Sequence, residues 1–244
     1  MGYVDNFKNG ITRGPFYTLI KEGKSDDRTA VILYNGKKLD MFQCAVYQAW
    51  LDMCRTIKNK NKSSEKNWKN AKEILAESLR EYFSGKPKNK EEDFDGWYYS
   101  LNTDVRKEGR LTIGQTQKLM NMAFKYLYCC GELQNKCRKH FAYCHMPLDG
   151  YILHWYKTNV DQSYDGELWS KIDELEKYTD IVDRIRTHFK KELLIEKEFS
   201  IWESEKKKAE EKELKSCAKK LQNSSWCNGE LQALLDEFCE KIQE

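Results

Sequence analysis

Proline and long apolar runs are what this chain has least of. Three prolines in 244 residues leave few places where a helix or strand ladder must break, since proline lacks a backbone donor and clashes with the turn before it. Glycine is modest at 13, so sharp corners are few. No window approaches the ~20 consecutive apolar residues of a membrane-spanning helix. The opening MGYVDNFKNGITRG also lacks the apolar core of a signal peptide. These absences argue against a helical membrane protein and a secreted one, and the expectation is a soluble chain. Neither sign of charge dominates either, with 42 Lys and Arg against 39 Asp and Glu.

What is present points to a packed helical protein. Seven Trp, fourteen Tyr and ten Phe are far too many for a disordered chain. Nine cysteines, an odd number scattered through helical patterns, fit reduced core residues better than a disulfide framework, which predicts a reducing compartment, the cytoplasm. The expected fold is mainly α, one globular multi-helix domain, with a less helical segment over 1–40. Within that segment Ala30–Tyr34 followed by Asn35-Gly36 predicts a short β-hairpin.

Helices are expected over 41–57, with Asp40 as cap, and over 65–83, closed by Ser84-Gly85-Lys86-Pro87. Residues 86–95 are expected to be exposed, and Trp97-Tyr98-Tyr99 to precede the next helix. A mixed-charge helix over 203–215 and an amphipathic one over 228–242, both within a C-terminal region 203–244, follow from i,i+4 patterning.

The central segment carries the chemistry. Thr112 with Gln115 three residues on matches a capping box. Beyond it, Leu119, Met122, Ala123, Tyr126, Leu127 and Cys130 form one apolar stripe, and Met120, Phe124 and Tyr128 a second. Only Lys118, Asn121 and Lys125 remain polar, all on one side. A lysine on such a core helix is either desolvated, and so able to attack carbon as a neutral amine, or snorkels to solvent from the helix start. Further along, Met146-Pro147-Leu148-Asp149 puts an aspartate where an N-cap belongs.

A lysine opening a helix, followed 31 residues later by an apolar-Pro-apolar-Asp segment, resembles the helix–hairpin–helix DNA glycosylases, most closely the archaeal 8-oxoguanine branch. The resemblance covers about residues 108–155, and it departs from the family in its hairpin, where Gly109 and Gly114 are five apart. It implies a catalytic half over 105–200 in which Lys118 forms a Schiff base and Asp149 stabilises the charged sugar, with strand-nicking lyase activity alongside. It also implies no cofactor, a monomer, and double-stranded DNA carrying a damaged or modified base as partner. Gly114, Gln115 and Thr116 would then offer backbone N–H groups to a DNA phosphate. Trp50, Trp155, Trp202 and Lys125 are candidates for the pocket of an extruded base.

Other patterns compete. From Arg55 to Lys72 seven basic residues, Lys60, Lys62 and Lys66 among them, face one acid, Glu65; such a stretch could track a phosphate backbone or be a solvated loop. Cys130, Cys137 and Cys144, with His140 and His145 near, lack the short Cys pairs of zinc sites, so no metal is expected. Arg138 and His145, six residues between them, resemble the Arg-His motif of HEPN-type ribonucleases. A non-catalytic helical nucleic-acid-binding protein is the third class.

Overall fold

In a computed structural model, the chain is described over residues 2–56, 65–190 and 192–222. The described residues are mainly helical: α1 (Tyr3–Asn9), α2 (Pro15–Lys21), α3 (Met41–Thr56), α4 (Glu65–Ser84), α5 (Glu91–Gly109), α6 (Ile113–Tyr128), α7 (Gly131–Lys136), α8 (Gly150–Asn159), α9 (Leu175–Phe189) and α10 (Leu194–Gln222). One antiparallel hairpin, β1 (Val31–Tyr34) with β2 (Lys37–Asp40), lies before α3. Its turn residues Asn35 and Gly36 both take positive φ, the left-handed pair that lets two strands reverse in two residues. Asp40 then caps α3, accepting from the Gln43 amide at 2.9 Å while Gln43 Oε1 accepts from the Asp40 amide at 3.0 Å.

A single core cluster runs from Ile11 to Ile201, so these helices form one globular domain. Its centre is α6, of which every residue but Gln115 is buried. The helix is closely packed by α3 on one side and flanked by α5, α9 and the 3-10 turn Trp169–Lys171. The Thr112–Gln115 capping box forms, with both reciprocal hydrogen bonds present. Apolar side chains on nearly every face explain why the helix sinks to the centre.

Two sequence expectations need correction here. Trp97-Tyr98-Tyr99 lies inside α5, not before it, because Glu91, Glu92 and Asp93 already start the helix and suit its positive N-terminal dipole. Residues 86–95 are accordingly not all exposed, since Phe94 is fully buried and Asp95 partly so. The mixed-charge helix is part of the longer α10. The expected helix over 228–242 lies outside the described residues.

Candidate functional site

Lys118 sits in the second turn of α6, whose capped start fixes the direction of its side chain. Its Nζ donates to Asp149 Oδ2 at 2.8 Å, with side-chain exposures of 8% and 13%. Lys118 therefore does not snorkel to solvent, and the two residues touch directly rather than facing each other across an open gap. Asp149 does more than pair. It is the N-cap of α8, and its other oxygen accepts from the Tyr151 and Ile152 amides, both at 3.0 Å. Burial opposes ionisation of Asp149, but the Lys118 charge and hydrogen bond, with the Ile152 amide, outweigh it and hold the carboxyl below its ordinary value.

The polar side of α6 is otherwise occupied by protein. Asn121 Nδ2 donates to Met146 O at 3.0 Å. Two turns beyond Lys118, Lys125 Nζ lies 2.6 Å from Glu198 Oε2 of α10, each side chain 1% exposed. The rings of Phe7, Phe199 and Trp202 close around that ammonium, at 4.1, 4.6 and 5.2 Å. Burial pushes the Glu198 carboxyl up, with Lys125 opposing. Lys125 is thus sealed in the core, which removes it from any open base pocket. Glu198 had no local signal in the sequence, since its partner is 73 positions earlier.

No family model matches the chain. Nor does any curated protein or solved structure.

The remaining predicted residues fall in different places. Trp202 lies edge-on to the ring of Tyr151, whose amide donates to Asp149. Trp155 stacks on Phe189, centroids 5.3 Å apart. Trp50 packs against Trp68 and beneath Lys72, where its ring partners belong to α4 rather than to the Lys118–Asp149 pair. The α6 amides are a correction. Gly114 N–H donates to Ile172 O at 2.8 Å, Gln115 N–H to Thr112 Oγ1 at 3.1 Å and Thr116 N–H to Thr112 O at 3.0 Å. Each is spent within the chain, because the 3-10 turn and the capping box cover the helix start, so none points outward to hold a phosphate. Lys60 and Lys62 lie outside the described residues, as does the side chain of Lys66.

The Arg138–His145 pair is also divided. Arg138 reaches Glu196 at 2.6 Å from an exposed position. His145 is fully buried and engaged at both nitrogens, by Asp95 Oδ1 at 2.9 Å and the Tyr178 hydroxyl at 2.8 Å. Arg186 grips the same Asp95 through two hydrogen bonds, at 2.7 and 2.8 Å. Burial drives His145 down to about 4, so it is neutral at pH 7. Among the described residues, no three His, Cys, Asp or Glu side chains are grouped to hold a metal, and no helix is long and apolar enough to cross a membrane.

Proposed function

We propose that this chain is a DNA N-glycosylase that excises a damaged or modified base through Lys118, with associated lyase activity. The observation that carries the reading is the buried Lys118–Asp149 ion pair, 2.8 Å long, between a core helix and the N-cap of the next long one. An amine and a carboxylate held side by side can both reach one sugar. As the N-glycosidic bond breaks, positive charge develops at C1′, which the Asp149 carboxylate stabilises. Lys118, after giving up a proton, forms the N–C1′ bond while the base leaves with the electron pair of the broken bond and is protonated. Ring opening gives a Schiff base, and β-elimination from it cleaves the strand.

The substrate is duplex DNA whose target base leaves the stack, and the edge-on pair of Trp202 and Tyr151 is our candidate for stacking on it. The protein acts as a monomer in the cytoplasm. Free thiols at Cys44, Cys129, Cys130, Cys137, Cys144 and Cys217 support a reducing compartment.

Borohydride added during reaction with DNA bearing the target base traps a covalent adduct, because reduction freezes the Schiff base. Lys118→Gln abolishes the adduct and leaves DNA binding in place. Adduct of undiminished yield from that variant would remove Lys118 from the chemistry.

A further inference from the structure

Gln117 is wholly buried on α6, beside Lys118, and its carboxamide is aimed away from its own helix. Its Nε2 donates to Leu148 O at 2.8 Å, and its Oε1 accepts from Leu148 N–H at 3.0 Å. Both backbone groups of one residue are thus bound by one planar amide. The same Oε1 accepts from Asn121 Nδ2 at 3.1 Å, and that nitrogen also reaches Met146 O at 3.0 Å. Asn121 is itself held by the Tyr98 and Tyr178 hydroxyls, and Tyr178 by His145 and, through it, Asp95 and Arg186. Met146–Leu148 has no regular secondary structure. The Met146 carbonyl and both backbone groups of Leu148 are satisfied by side chains of α6 instead of by a ladder.

We infer that Gln117 is a positioning residue that fixes Asp149 against Lys118 by clamping the peptide groups of Leu148. Lys118 and Gln117 are consecutive on α6, and Asp149 and Leu148 are consecutive on the facing segment. The clamp therefore ties the two strands of chain one residue before the ion pair on each side. A carboxamide is what this place requires: one donor and one acceptor in one plane, matching a carbonyl and an amide. A hydrocarbon of equal size fills the space but lets Asp149 drift, and misplacement by about 1 Å costs on the order of a hundredfold in rate. The effect on rate rests on the glycosylase reading; the clamp itself does not.

The test reads Asp149 directly. Carbon-detected NMR of the full-length protein follows the Asp149 carboxyl through a pH titration in three forms: wild type, Gln117→Met and Gln117→Glu. In wild type the carboxyl titrates below its ordinary range. Gln117→Met keeps a native near-ultraviolet circular dichroism spectrum, but moves that titration up toward the ordinary range, and slows borohydride trapping about tenfold to a hundredfold. Gln117→Glu gives the rescue. Protonated, the introduced carboxyl supplies one donor and one acceptor as the amide does, and burial beside Leu148 O raises its own titration. At about pH 5, above the ordinary aspartate range, it is protonated while Asp149 stays ionised, and trapping by this variant approaches the wild-type rate at the same pH. It falls behind again as pH rises.

An Asp149 titration unmoved in folded Gln117→Met would overturn the inference. Failure of both variants to fold would overturn it as well, by making Gln117 a residue of general stability. If Asp149 shifts as expected but wild-type protein traps no DNA, the clamp stands and the glycosylase reading falls.

Discussion

Two lysines seven residues apart on one helix have opposite fates, and the difference lies in their partners. Lys125 and Glu198 are each 1% exposed, and neither Glu198 oxygen gains a hydrogen bond from the surrounding backbone. Taking Lys125 away leaves a carboxylate sealed among rings. Lys125→Met is expected to cost about 3–5 kcal/mol in urea unfolding, whereas Lys125→Met with Glu198→Leu recovers most of it. Equal losses in the single and double variants would show that the rings, not the charges, set the stability there. Lys118 differs because Asp149 keeps two amide donors after the lysine is gone. Lys118→Gln should therefore unfold at a denaturant concentration closer to wild type than Lys125→Met does. Asp149→Asn retains an oxygen for the cap, since asparagine caps as well as aspartate. Its expected defect is a slower base release measured on substrate DNA, larger than any change in midpoint; a normal rate would remove the carboxylate from the reaction.

At the scale of elements, α5, α6 and α9 meet at the buried Asp95–His145–Tyr178 chain, and that junction sets how the fold responds to acid. His145 titrates near 6.5 when unfolded and about 4 when folded. Its contribution is therefore complete above pH ~6.5 and is lost as pH falls toward 4. Burial works against the Asp95 charge, but Arg186 and His145 pull its carboxyl down to about 2, so its share is lost only below ~4. Stability followed by urea unfolding should decline in that order. His145→Gln should flatten the upper step; a variant that keeps it would place the titrating group elsewhere. The start of α6 is a second junction. A Cβ at Gly114 would run into the Trp169 carbonyl, so Gly114→Ala should cost about 1–3 kcal/mol by thermal denaturation, and an unchanged midpoint would mean that the 3-10 turn gives way freely.

These junctions also mark what could be read in the sequence. The cap at Asp40, the capping box at Thr112, the Asn35-Gly36 turn and the buried stripe of α6 are local patterns, set by neighbours three or four residues away, and the structure agrees with them. The pairing of Lys118 with Asp149 has no local cause and rests in the sequence on family resemblance together with the narrow polar face of α6, and neither predicts direct contact. Glu198, Asp95 and Arg186 gave no signal, because each acts through a partner on another helix. Gln117, four residues before Asn121, has no distinguishing pattern, because a glutamine on a helix is ordinarily a solvated residue.

For the molecule as a whole, a net charge of only +3 means that the proposed binding of DNA would have to draw on a local concentration of basic residues. From Arg55 to Lys72 seven basic residues stand against one acid between them, Glu65, and residues 57–64 of this stretch lie outside the described residues. If it follows the phosphate backbone, each contact releases counterions, and the slope of log affinity against log salt records how many. Duplex binding should weaken steeply as salt rises. Charge reversal at Lys60, Lys62 and Lys66 together should weaken it further at low salt, and reduce the slope by roughly 0.9 for every phosphate contact removed. Thermal stability should hardly move if these lysines serve DNA rather than the fold. Trapping of a short oligonucleotide at saturating concentration should survive, because Lys118 and Asp149 are untouched. Binding and salt slope that both stay at wild-type values would make the stretch a solvated loop, and the charge that holds DNA would have to be sought on the lysine-rich α10 instead.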